Sequence, residues 1–116
     1  MSDIKITVGG TIEADATRRF TEAWHRAARG ESFSERHLAF ENWDTLARVL
    51  TGKRLDILRH VHRHATASIR ALAKALGRDY SNVHADVQAL MSVGLLDVTK
   101  TGVRVDYDSI DTKIAI

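Results

Sequence analysis

The chain has 116 residues, 44% hydrophobic and 28% charged, with a formal net charge of +2, six histidines, seven glycines and neither proline nor cysteine. That length suits one domain, or one small domain with an appendage, and the absence of cysteine excludes disulfides, thiol catalysis and thiolate metal sites. No apolar run approaches the roughly 20 residues of a membrane helix, and residues 1–5 lack the basic-then-apolar order of a signal peptide, so the cytoplasm is the expected compartment.

Residues 4–8 alternate apolar and polar and end at Gly9-Gly10, which predicts a short strand and turn. From Asp15 to Arg29, Ala16, Phe20, Ala23, Trp24 and Ala27 recur at three and four residues, a helical pattern with Gly30 as its C-cap. Residues 35–40 form a second candidate strand, with Leu38 and Phe40 on one face. Asn42 or Glu41 opens a helix carrying Trp43, Leu46, Ala47 and Leu50.

The next stretch is patterned more strongly. Thr51 caps a helix over residues 53–64 whose predicted buried face is Leu55, Leu58, Val61 and His62, with Ile57 beside it. Ser68 caps the following helix, in which Ile69, Leu72, Ala73 and Leu76 share a face, and Gly77 ends it. Asp79 caps a third helix that buries Val83, Val87, Leu90 and Met91 and stops at Gly94. Residues 95–99 and 103–107 then alternate as two strands around Lys100-Thr101-Gly102, where glycine suits a hairpin turn. Ile110, Thr112, Ile114 and Ile116 mark a last strand with one apolar edge.

Charge is unevenly divided along the chain. Residues 1–51 carry seven Lys/Arg against eight Asp/Glu, residues 52–104 nine against four, and residues 105–116 one against three. The middle segment, net +5, holds the helix–turn–helix spacing, and a local positive field of this kind favours polyanions.

Three runs are familiar: Ile69-x-x-Leu72-Ala73-x-x-Leu76-Gly77, then Tyr80-Ser81-Asn82-Val83, then Leu90-x-x-x-Gly94-Leu95-Leu96. Residues 51–107 thereby resemble the winged helix-turn-helix regulators of prokaryotes, the broad MarR/ArsR-like group. The longer string from Lys53-Arg54-Leu55 to Leu90 is similar to a small bacterial and archaeal family of predicted DNA-binding proteins, some encoded beside toxin genes. The resemblance implies a transcriptional regulator, with autoregulation as an option. The fold expected is α+β, mostly α: a winged helix-turn-helix with an N-terminal strand/helix extension. Its parts would be an extension at 1–50 serving dimerisation, a DNA-binding domain at 51–107 and a C-terminal strand at 108–116.

Site residues follow from helical geometry at 100° per residue. Opposite Val83, Val87 and Leu90 lie Ser81, Ala85, Gln88 and Ser92, flanked by Asn82, His84 and Ala89. Small side chains at Ser81 and Ala85 allow close approach to base edges, and the Asn82 and Gln88 amides suit bidentate pairing with adenine. Because N-terminal turns usually read bases, Tyr80, Ser81, Asn82, His84 and Ala85 rank above Gln88 as base contacts. Ser68, Arg70, Lys74, Arg78, Lys100 and Arg104 are the expected phosphate and wing contacts. Asp79 is better explained as a cap, and Asp86 as the partner of a nearby basic side chain.

His60, His62 and His64 do not converge on one helix face, so no metal site is expected, and no cofactor. Gly9-Gly10 lacks the spacing of a phosphate loop, and no serine is linked to a histidine and an acid in recognisable order, so no enzyme is expected. Trp24, Trp43, Phe20, Phe33 and Phe40 suit a core or an interface. The apolar faces of the N-terminal helix and the terminal strand suggest a homodimer, built by helix packing or strand exchange. The leading expectation is a dimeric, sequence-specific binder of double-stranded DNA that represses transcription, with no membrane association. The alternative is a protein-interaction module, such as an antitoxin that holds a partner toxin and autoregulates.

Overall fold

The computed structural model describes residues 3–10, Trp24 and residues 35–116. In chain order these form β1 (Asp3–Val8), β2 (Glu35–Phe40), α1 (Trp43–Val49), α2 (Gly52–Arg63), α3 (Ile69–Leu76), α4 (Tyr80–Ser92), β3 (Asp97–Thr99), β4 (Gly102–Arg104) and β5 (Ser109–Ile114). The helix expected over residues 15–29, with its cap at Gly30 and Phe33 beyond, lies outside the described residues apart from Trp24.

Two compact units divide the chain. One joins residues 1–46 to residues 107–116, and the other is residues 47–106. In the first, β1 is the middle strand of a three-stranded sheet ordered β2-β1-β5, parallel on both sides. Its register sets Ile4, Ile6 and Val8 beside Arg36, Leu38 and Phe40 on one side and beside Ile110, Thr112 and Ile114 on the other. The alternation of β1 fits this place: Ile4, Ile6 and Val8 are almost wholly buried. Thr7, on the opposite face, is buried too, as expected for the middle strand of a parallel sheet. Its hydroxyl shares a 2.7 Å hydrogen bond with His37 Nε2. Across β1 and β5, Lys5 pairs with Asp111 at 2.9 Å, and the Ser109 hydroxyl donates to Asp3 at 2.7 Å. Tyr107 is buried in the same unit, with the Arg36 guanidinium 5.5 Å from its ring centre.

The second unit packs α2, α3 and α4 around Ile57, Leu58, Val61, Leu72, Val83, Val87 and Leu90, joined by Leu95, Leu96 and Val103. Local capping chemistry sets each helix start. Thr51 accepts from the Arg54 amide, Ser68 from Ala71 and Asp79 from Asn82, satisfying amides that have no partner within the helix. α3 stops at Gly77, whose φ of 65° and ψ of 33° place it in the left-handed region where glycine carries no Cβ penalty. β3 and β4 form an antiparallel pair, and an isolated bridge joins Val103 to Thr66.

This architecture overturns the expected winged helix-turn-helix, mostly α, with an N-terminal extension. The fold is a small α+β arrangement in which, among the described residues, four helices accompany a parallel three-stranded sheet and a separate antiparallel pair. The N-terminal strands are not an appendage, because β5 from the far end of the chain completes their sheet. The physical reason is non-local. Alternation identifies β1, β2 and β5 singly, but no local pattern says that β1 lies between the other two. The antiparallel strands are also shorter than the alternation over 95–99 and 103–107 predicts, at three residues each. His62, expected on the buried face of α2, is exposed and Ile57 occupies that face; Leu55 and Met91 are half-buried.

Candidate nucleic-acid interface

The outer face of α4 is assembled from the residues that helical geometry selects. Tyr80, Ser81, Asn82, Ala85 and Gln88 are exposed, and His84 is half-buried. Val83, Val87 and Leu90 anchor the opposite face with no accessible surface. The Asn82 and Gln88 side-chain amides have no intramolecular partner among the described residues, so both keep their full donor and acceptor capacity. The Arg70 guanidinium, from α3, lies 4.8 Å from the centre of the Tyr80 ring, a cation–π geometry. Tyr80 in turn lies 5.7 Å from the His84 ring. Arg70, Tyr80 and His84 therefore form one continuous strip at the start of α4.

α4 carries a single carboxylate, Asp86, and it is neutralised. Arg54 Nε donates to Asp86 Oδ1 at 3.1 Å, and Arg78 Nη2 to Asp86 Oδ2 at 2.7 Å. All three side chains are largely buried. Burial alone would raise the Asp86 carboxyl, but hydrogen bonds and positive charge from Arg78 and Arg54 together outweigh it and hold the carboxyl below its ordinary range. Arg54 Nη1 also donates to the Arg48 and Val49 carbonyls at 3.0 and 2.9 Å, tying the end of α1 to the start of α2. Arg78, selected from sequence as a phosphate contact, is thus committed to Asp86, while its Nη1 is buried without a partner. Two guanidinium groups against one carboxylate leave net positive charge beneath α4.

The remaining cations selected from sequence are presented outward. Arg70, Lys74, Lys100 and Arg104 are exposed, and none has an ion-pair partner among the described residues. Ser68 is exposed but its hydroxyl accepts from the Ala71 amide at 3.0 Å, so its role is capping. Lys100 sits at the tip of the antiparallel pair, which the Thr99 hydroxyl ties together through Thr101 and the Gly102 carbonyl. Arg104 lines an open cleft of about 540 Å³ together with His62, Arg63, His64 and Thr101. Sequence reasoning missed Arg63 as part of this basic lining. The signal lay in the last turn of α2, where Arg63 follows directly on His62.

The five-residue run of alternating histidines, His60 to His64, does not gather. His60 and His64 approach each other, with ring centres 4.7 Å apart, while His62 points away into the cleft lining. Among the described residues no group of three or more His, Cys, Asp or Glu is placed to hold a metal ion. No described helix is long and apolar enough to cross a membrane.

A comparison with curated proteins finds no match. A family model does match, over residues 49–112, more than half of the chain. This span takes in α2, α3, α4, the antiparallel pair and most of β5. The protein belongs to the HVO_A0114 family.

Proposed function

We propose that this protein binds double-stranded DNA sequence-specifically and acts as a transcriptional regulator, a repressor working as a homodimer. α4 enters the major groove, with Tyr80, Ser81, Asn82, His84 and Ala85 toward the base edges and Gln88 behind them. Arg70, Lys74, Lys100 and Arg104 grip the phosphates on either side, and Arg63 extends that set. Arg54 and Arg78 act from below by cancelling the charge of Asp86. The observation that carries this reading is the state of the outer face of α4. Its amides are unengaged, its only carboxylate is masked by two guanidinium groups, and unpaired cations flank it.

The test is selection of bound fragments from a random duplex pool, followed by titration of the winning sequence. A defined consensus bound by wild type and weakened by Asn82→Ala supports the reading. Failure to bind any duplex, even at low salt, contradicts it and leaves the same face to a protein partner.

A further inference from the structure

Among the described residues, β5 is an edge of its sheet, with β1 on its inner side only. An edge strand offers unpaired N–H and C=O groups, and its side chains decide what those groups accept. Ser109, Asp111, Thr112, Lys113 and Ile114 are all exposed, Ile114 to 49%. Asp111 is held on its inner side by Lys5, whereas Lys113 has no ion-pair partner among the described residues. Asp111 and Lys113 share one face of the sheet, two residues apart, while Ile110 and Ile114 share the other.

We propose that β5 pairs antiparallel with β5 of a second copy, in a single register centred on Thr112. The two three-stranded sheets then become one of six strands. This deepens the homodimer in the reading above and rests on that part of it. In a two-fold antiparallel pair about Thr112, Asp111 lies opposite Lys113 of the other copy, twice over. Ile110 lies opposite Ile114, again twice, and Thr112 meets its own counterpart, all favourable cross-strand combinations. The charged row then runs Lys5, Asp111 and the second copy's Lys113, with alternating sign. Moving the centre by one residue sets Asp111 against Asp111 or Lys113 against Lys113, like charges directly opposed. The strand is therefore self-complementary in one register and repulsive in its neighbours.

The experiment measures mass by sedimentation at micromolar concentration, without DNA, on the full chain. Wild type is expected as a dimer. Lys113→Asp and Asp111→Lys each place like charges opposite one another and are expected at half the wild-type mass, with unchanged circular dichroism. Mixed in equal amounts, the two variants restore complementarity and return to the dimer mass. A monomeric wild type, a dimer that persists in Lys113→Asp, or two folded variants that stay monomeric when mixed would each overturn the proposal. Lys113→Asp decides the matter even if Asp111→Lys, which also loses the Lys5 pair, does not fold. Duplex binding by monomeric Lys113→Asp at low salt separates this result from the DNA reading, since α4 is unaltered.

Discussion

Asp86 connects stability to surface chemistry at the level of single residues. Its carboxylate satisfies two largely buried guanidinium groups, so Asp86→Ala leaves both charges without their partner. Breaking such a pair costs about 3 kcal/mol, measurable as a lowered urea midpoint with an unchanged slope. The pH dependence follows from the direction of the shift. The folded carboxyl titrates below its ordinary range, so its stabilisation is complete above that range. It is lost as pH falls through the lowered folded value. Asp86→Asn should therefore lose less stability than wild type between neutral and strongly acidic pH. The pairing with Arg78, eight residues away, was within reach of sequence reasoning about a nearby basic side chain. Arg54, 32 residues away on another helix, was not. Asn82 makes the complementary prediction. Its free amide on the first turn of α4 should contribute about 1–3 kcal/mol to selective binding. Asn82→Ala should relax preference at one base pair in a competition titration, without a change in melting.

The antiparallel pair depends on its approach to the segment between α2 and α3. Val103 N donates to the Thr66 carbonyl at 2.9 Å, and Gly102, with φ of 139°, lies so close that a Cβ there would collide with the Thr66 carbonyl oxygen. The atoms met are all backbone, of Thr66 and Ala67, so no flexible side chain can yield. Gly102→Ala should destabilise the protein by about 2 kcal/mol. It should also displace the strand tip that carries Lys100, visible as faster amide exchange at Val103. Lys100→Ala, by contrast, should weaken all duplex sequences alike and leave stability unchanged. The caps and helices of this unit were legible because their chemistry is local. Thr51, Ser68, Gly77 and Asp79 each act within a few residues, and Asn42 likewise accepts from the Thr45 amide at 2.9 Å. The close approach of Gly102 to Thr66 was not legible, since glycine in a hairpin already had a sufficient reason in the turn.

For the whole molecule, the sheet of unit 1 draws on both ends of the sequence while the basic helices lie between them. Residues 4–8, residues 35–40 and the terminal alternation were each recognisable as strands, yet the placing of β1 between the other two was not. Parallel order through β1 depends on Ile4–Ile110 and Val8–Ile114 pairings more than a hundred residues apart in the chain. The acidic C-terminal segment places Asp111 against Lys5 within that sheet. Net positive charge therefore remains concentrated on residues 52–104, the segment that also presents the outer face of α4. Binding should accordingly be polyelectrolyte in character. With about four to six phosphates neutralised per protomer, log K should fall against log salt with a slope of about −0.9 per contact. The most direct test is that slope, measured by anisotropy on the selected duplex for wild type and Asn82→Ala. The predicted result is a steep slope of equal size in both, with lower affinity at every salt concentration in the variant. A shallow slope, or coincident titration curves for the two proteins, would contradict the assignment of this surface to DNA.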